Sequence, residues 1–182
     1  MRCAWAEHSD IERVYHDTEW GVPVYEDHLI FERFSLRAVQ AGLAWRTVLV
    51  KRESFVRAFH GFDIARVAAM GDDELAAVLA DRGVIRNRLK INAIRNNARA
   101  ALRVIDERGS LSAYLWAFVG GTPQVNARRG DEPLPMRSDL SDQLSEALQQ
   151  RGFRFAGTAI CQSLLQSAGL VNDHAVDCFR YR

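Results

Sequence analysis

The chain has 182 residues, 48% hydrophobic and 26% charged, the size and balance of one compact soluble domain over residues 1–182. Lysine and arginine number 24 against 23 acidic residues, a formal net charge of +1, which excludes a polybasic tail or a wholly basic surface and leaves only a local nucleic-acid contact open. No apolar run approaches the roughly 20 residues of a membrane span, and the opening MRCAWAEHSD lacks the apolar stretch of a signal peptide, so a cytoplasmic protein with no membrane partner is expected.

The hydrophobic period is helical nearly throughout and predicts an all-α fold; only short runs such as residues 22–25 read as extended. After a cap at Asp27, Phe31, Phe34, Ala38, Ala41 and Trp45 recur at the spacing of one helix face, widened by Leu36, Val39 and Leu43. Arg33, Arg37, Gln40 and Ala44 form the narrow remaining stripe, which by periodicity alone faces solvent. A second helix is predicted from Trp45 to Phe59, stopping at His60-Gly61. Short helices are expected after caps at Asp63 and Asp72. From Asn87 to about Glu107 the pattern is long, basic and amphipathic, with Leu89, Ile91, Ile94, Ala98, Leu102 and Ile105 inside, Arg95 and Arg99 outside, and an end at Gly109. Ser110 is placed to cap a helix carrying Tyr114, Trp116 and Phe118, which Gly120-Gly121-Thr122-Pro123 breaks. Residues 124–137, with Pro133 and Pro135, read as a connecting loop, and two last helices fall at 140–150 and 157–168, followed by Gly152 and Gly169.

Three groups of residues carry chemistry. His174 and Cys178 are four apart, so on a helix they share one face, and Cys3 and His16 at the other end of the chain complete a Cys2His2 set. Such a set leaves a tetrahedral Zn²⁺ no open position, so the metal would pin the chain ends and do no chemistry. By spacing alone, two buried thiols and two satisfied histidines remain an alternative; with three cysteines and no export signal a disulfide framework is not expected. The string DRGVIRNRLKINAIRNNARA puts Gly83 between an apolar and a basic helix, as a helix-hairpin-helix does when its turn amides and a helix N-terminus face a phosphate, with Arg86, Arg88 and Lys90 adding charge. A solvated basic helix surface fits this string equally. Trp5, Tyr15, Trp20 and Trp45 crowd the first quarter of the chain, either as core or as walls that stack a flat heterocycle.

Taken together, RCAW, YHDTEWGVP, QAGLAW, GVIRNRLKINAIRNNA, RGFRFAGTAICQS and AGLVNDH resemble bacterial 3-methyladenine DNA glycosylase I, the Tag family, over almost the whole chain. The resemblance implies a compact helix-hairpin-helix DNA glycosylase fold, with the hairpin near residues 75–100 and a structural zinc on Cys3, His16, His174 and Cys178. It implies a monofunctional N-glycosylase that acts as a monomer on double-stranded DNA containing an alkylated base, at the bacterial nucleoid. Trp5, Tyr15 and Trp45 match the family's pocket aromatics, Trp45 being the one that stacks on the expelled base. Gly42 and Leu43 fall where the backbone approaches DNA and a wedge enters the emptied stack. Arg37 stands where the family has a Glu, Glu12 where it usually has a Tyr, and Ala44 where it has a Ser. N3-methyladenine is cationic in DNA, so the carboxylate attracts it and a guanidinium repels it; two unit charges about 4 Å apart at an effective dielectric of about 20 interact by roughly 4 kcal/mol. The opposite charges of Glu12 and Arg37 raise the expectation of an ion pair that returns a carboxylate to the pocket. A changed lesion choice, or lesion binding without catalysis, is the alternative that Arg37 keeps open.

Overall fold

In the computed structural model, which describes residues 1–130 and 132–181, the chain is all-α apart from one short strand pair. The helices among the described residues are α1 (Asp10–Thr18), α2 (Asp27–Gln40), α3 (Trp45–Ala58), α4 (Ile64–Ala69), α5 (Asp72–Ala80), α6 (Arg88–Arg108), α7 (Leu111–Trp116), α8 (Asp139–Gln150) and α9 (Thr158–Ser167). None is long and apolar enough to cross a membrane.

Helix α2 is the axis of the fold. Its Ile30, Phe31, Phe34, Leu36, Ala38 and Val39 are all buried, because α3, α6, α7 and α9 pack around it and leave little of its surface to water. Phe55, Phe59 and Phe62, Ile91 and Ile94, Leu144 and Leu148, and Leu164 and Leu165 fill the space between these helices. The helix does not run on to Trp45 as its apolar spacing predicts. Ala41 leaves helical geometry at φ −43°, ψ 117°, and Gly42 turns the chain at φ +76°, so Trp45 opens a new helix. Asp27 is the first residue of α2 and not its cap. Its carboxylate accepts instead from Ser110 Oγ at 2.9 Å and the Ser112 amide at 2.7 Å, fastening the start of α7 beside α2.

Helix α6 follows its sequence signals closely at both ends. Asn87 accepts from the Lys90 amide at 3.1 Å, and Gly109 closes the helix at φ +83°. Its inner face is narrower than expected: Leu89 and Leu102 are 73% and 37% exposed. Arg95, expected outside, reaches the junction of α4 and α5 and donates to the Met70 carbonyl at 3.1 Å and to Asp72 at 2.7 Å.

Residues 22–25 form no strand. The strands are β1 (Gln124–Val125) and β2 (Val171–Asn172), parallel in the register Gln124↔Val171 and Val125↔Asn172, with a further bridge between Arg128 and Ala175. Two residues per strand leave no alternation to read, so the segment looked like a loop. The pairing matters because it lays residues 171–175 beside 124–128 and delivers the C-terminal segment to the N-terminus.

Candidate functional site

Cys3, just before the single-turn helix Ala4–His8, meets His16 of α1 and, from the other end of the chain, His174 and Cys178. All four are buried, and their ligand atoms lie within 4.8 Å of one another. Cys178 Sγ is 3.4 Å from His16 Nε2 and 3.5 Å from His174 Nδ1, and Cys3 Sγ is 3.7 Å from His174 Nδ1. Zinc–ligand bonds of roughly 2.0–2.3 Å give tetrahedron edges of about 3.3–3.8 Å, so these spacings fit one metal ion. His174 and Cys178 do not share a helix, as their spacing suggested; they sit on a turn in which the Cys178 amide donates to the Ala175 carbonyl at 2.8 Å.

The surroundings orient both rings for a metal. His16 Nδ1 is 2.9 Å from the Asp17 carboxylate and His174 Nε2 is 3.0 Å from the Trp20 carbonyl, so each ring donates outward and turns its other nitrogen inward. The Arg128 guanidinium donates to Cys3 Sγ at 3.7 Å, the Ala175 amide to the same sulfur at 3.4 Å and the Arg180 amide to Cys178 Sγ at 3.5 Å, all contacts that favour thiolates. Burial alone does the opposite: it pushes the Cys3 thiol up to about 11 and His174 down to about 4, and holds His16 below its ordinary value. A metal displaces those thiol protons.

A pH dependence follows. Between the ordinary histidine value of 6.5 and about 4, an unfolded chain takes up protons that the buried His174 ring refuses. Stability is therefore full above that range, falls as pH drops through it, and levels off below. A metal held by these four residues would be released at low pH, in the same direction. Thermal melts over this range, with and without a chelator, measure both contributions.

Against this centre lies a cavity of about 230 Å³ whose wall includes Trp5, Glu12, Trp20, Arg37, Trp45 and Gln166. Trp5 meets Trp20 edge-on at 5.0 Å between ring centroids, and Tyr15 meets Trp45 at 5.2 Å, so the aromatic wall is continuous with the metal-side cluster. Three rings in one wall suit a flat, apolar-faced guest. Arg37 does not face solvent: it is 6% exposed. Its Nη2 donates to the Tyr15 hydroxyl at 2.8 Å and its Nη1 to Gln40 Oε1 at 3.0 Å, while Cζ stands 3.6 Å from the centre of the Trp45 ring. Burial pulls its pKa below the ordinary arginine value, and the Tyr15 hydroxyl opposes that shift. The expected pair with Glu12 is not formed; the Glu12 carboxylate accepts from Ser9 Oγ at 2.7 Å, as part of the cap of α1.

The turn between α2 and α3 presents Gly42, at φ +76°, and Leu43, 39% exposed, beside Trp45. Gly83 lies in the 81–87 connection of α5 to α6, with Arg86 and Arg88 exposed beyond it. Its φ is not positive; a Cβ there would stand 2.5 Å from Ser54 Oγ, so close packing on α3 is what requires glycine. Lys90 corrects the sequence expectation of a phosphate contact. Its ammonium is drawn inward, donating to the carbonyls of Val39 at 2.9 Å and Ala41 at 2.6 Å, which α2 leaves unpaired where it ends. Lys90→Met is expected to cost about 1–3 kcal/mol of stability, the usual penalty for buried polar groups left unpaired. It is also expected to loosen the turn into Trp45, measurable as faster hydrogen exchange of the residue 41–47 amides.

Similarity to known proteins places the chain in a family. A family model described as methyladenine glycosylase matches residues 5–181. The chain belongs to the methyladenine glycosylase family. It is 44% identical over 180 residues to DNA-3-methyladenine glycosylase 1 of Escherichia coli, covering 99% of this chain and 96% of that protein. A crystal structure of 3-methyladenine DNA glycosylase I superposes with a TM-score of 0.95 at 43% identity, covering all of both chains. The Staphylococcus aureus enzyme, solved to explain 3-methyladenine recognition, gives a TM-score of 0.95 at 32% identity, covering 100% of this chain and 96% of that one.

For this methyladenine glycosylase the structure brings together the candidate metal residues, and separately Trp5, Glu12, Arg37 and Trp45, with Tyr15 behind Arg37. Sequence reasoning missed the neighbours that orient them. Asp17 had a signal, since it follows His16 in YHDTEWG; Arg128 and the Trp20 carbonyl had none.

Proposed function

We propose that this chain is a monofunctional DNA N-glycosylase of base-excision repair that releases alkylated purines of the 3-methyladenine type. The observation that carries this reading is the aromatic cavity, lined by Gln40 and Trp45 on either side of the Gly42-Leu43 turn, in a chain that matches 3-methyladenine DNA glycosylases along its whole length. The nucleotide is flipped out of the duplex, its base enters the cavity against Trp45 with Trp5 alongside, and Leu43 fills the emptied stack. Water then attacks C1′ as the C1′–N9 bond breaks. The cationic alkylated base leaves neutral, the sugar gains a hydroxyl, and the second water proton passes to solvent. The lesion's charge already makes it a good leaving group, so the cavity chiefly holds the extrahelical base.

The chain's two lysines support hydrolysis over a Schiff-base lyase. Lys90 is buried on the α2 carbonyls, and Lys51 donates to the Arg82 carbonyl at 2.8 Å. No free lysine amine remains to attack the sugar. The α5 to α6 connection acts as a helix-hairpin-helix, its amides and the exposed Arg86 and Arg88 meeting the phosphates of double-stranded DNA, with Gly83 letting the connection pack closely on α3. The Cys3, His16, His174 and Cys178 set holds zinc, whose four-coordinate site is closed and structural. The protein works in the bacterial cytoplasm, at the nucleoid, as a monomer and a single domain.

Methylated duplex DNA is the test. The protein is expected to free 3-methyladenine, read by chromatography, and to leave abasic sites without cutting the strand. Trp45→Ala should slow release by about tenfold or more, since stacking on an aromatic is worth roughly 1–3 kcal/mol per base. Tight binding to damaged DNA with no base released would make the protein a lesion-binding module instead.

A further inference from the structure

We propose that Arg37 is the specificity-determining residue of the cavity and turns it toward uncharged bases, at the expense of cationic ones. The proposal rests on the cavity being the seat of the flipped base. Its own ground is the arrangement of charge around that seat. The Arg37 guanidinium lies 3.6 Å from the centre of the Trp45 ring, on a wall where a planar base would stack. An arriving base therefore either takes that place beside the cation or stacks against the cation itself.

No ion pair neutralises the charge. Among the described residues no carboxylate is within ion-pair distance of Arg37, whose partners are the neutral Tyr15 hydroxyl and Gln40 amide. The carboxylates behind the Trp45 wall belong to other arginines: Glu19 pairs with Arg52 at 2.6 Å and Arg33 at 3.8 Å, and Glu32 with Arg52 at 2.7 Å. Glu12, at the cavity wall, is held by Ser9. Arg37 thus sets an unpaired positive charge directly against the Trp45 ring, while the one carboxylate of the wall among the described residues, Glu12, makes no ion pair with it. For a cationic base about 5 Å away at an effective dielectric of about 20, the repulsion weakens occupancy on the order of a hundredfold.

The lining also has hydrogen-bonding capacity for a base. Trp5 Nε1, Trp45 Nε1 and Arg37 Nε, on residues of this wall, are buried donors without acceptors. A ring-nitrogen or carbonyl lone pair of a seated base complements such donors.

The test uses two duplexes. One carries 3-deaza-3-methyladenine, which keeps the lesion's outline without its charge and is not released; the other is methylated and carries cationic 3-methyladenine. Arg37→Met keeps the side chain's length and removes its charge, and melting curves check that it folds. It is expected to raise kcat/KM for 3-methyladenine release at least tenfold (on the order of the Coulomb effect above) and to weaken binding of the uncharged duplex. Release that falls or stays unchanged overturns the proposal. So does tighter binding of both duplexes by similar factors, which would make Arg37 a steric plug. If neither protein releases a base, the glycosylase reading fails, and the uncharged duplex alone decides: weaker binding by Arg37→Met upholds the proposal, equal or tighter binding overturns it.

Discussion

Cys178→Ser is expected to lower the melting temperature by about 10 °C or more and to abolish stoichiometric metal, with a strong chelator doing the same to the unaltered chain. Cys178 Sγ stands 3.4 Å from His16 and 3.5 Å from His174, so its loss breaks a four-donor set and leaves two buried imidazoles without their common partner. That set links residues 3 and 16 to residues 174 and 178, at opposite ends of the chain. Metal affinity that exists only in the folded chain is folding free energy. Losing even about 3–5 kcal/mol of it corresponds to roughly 6–20 °C in a domain of this size, at about 2–4 °C per kcal/mol. Metal content by atomic spectroscopy, alongside thermal melts, checks the result. Cys161→Ala is the control. Cys161 is also fully buried and its thiol is pushed up to about 12 by desolvation, but it lies in the main core and donates to the Ala156 carbonyl at 3.4 Å. Its loss should cost no more than an ordinary small core deletion and leave metal content unchanged. Equal losses from both variants would show that the Cys2His2 set holds no metal.

Gly169→Ala is the second large effect, expected to cost more than about 3 kcal/mol or to prevent soluble expression. Gly169 follows α9 at φ +72°, a conformation L side chains rarely adopt. A Cβ there would stand 2.4 Å from Pro23 N and 2.4 Å from the Val22 carbonyl carbon. Those are backbone atoms, which cannot rotate aside. The same crossing carries the Val24 amide to Ala168 O at 3.1 Å and the Gly21 amide to Gln166 O at 3.1 Å, so relief by displacement would break hydrogen bonds that dock residues 21–24 on the end of α9. Gly120→Ala gives the contrast: φ is +66° there, but no atom lies within 4 Å of the added Cβ. It should pay only the conformational strain, about 1 kcal/mol. Denaturant melts of the two variants separate the clash from the strain.

Much of the helical architecture was legible because it depends on short-range chemistry. Asn87, Ser110 and Gly109 bound their helices where the side-chain oxygens and the missing Cβ dictate. Asp27 shows the limit: it has a cap's chemistry, but a neighbouring helix start uses it, and nothing within a few residues of position 27 says so. Leu102 shows another, since apolar spacing marks the inner face of α6 but not how far its neighbours extend over it.

The same division runs through the candidate site. The sequence by itself determined the family, through motifs spread along the chain, and it held the donor types of a Cys2His2 set and the aromatics of a pocket. Only the tertiary structure decided what two cations face. Arg37 sits on a polar helix stripe, yet Tyr15, 22 residues away, and Trp45, beyond the turn, close over it. Lys90 reads as surface charge on a basic helix, yet the open carbonyls at the end of α2, 51 and 49 residues away, draw it inside. Periodicity reports which side of a helix is polar. Whether that side meets water, a carbonyl or an aromatic face depends on chain brought from elsewhere, because a buried charge is stable only where distant groups supply its hydrogen bonds.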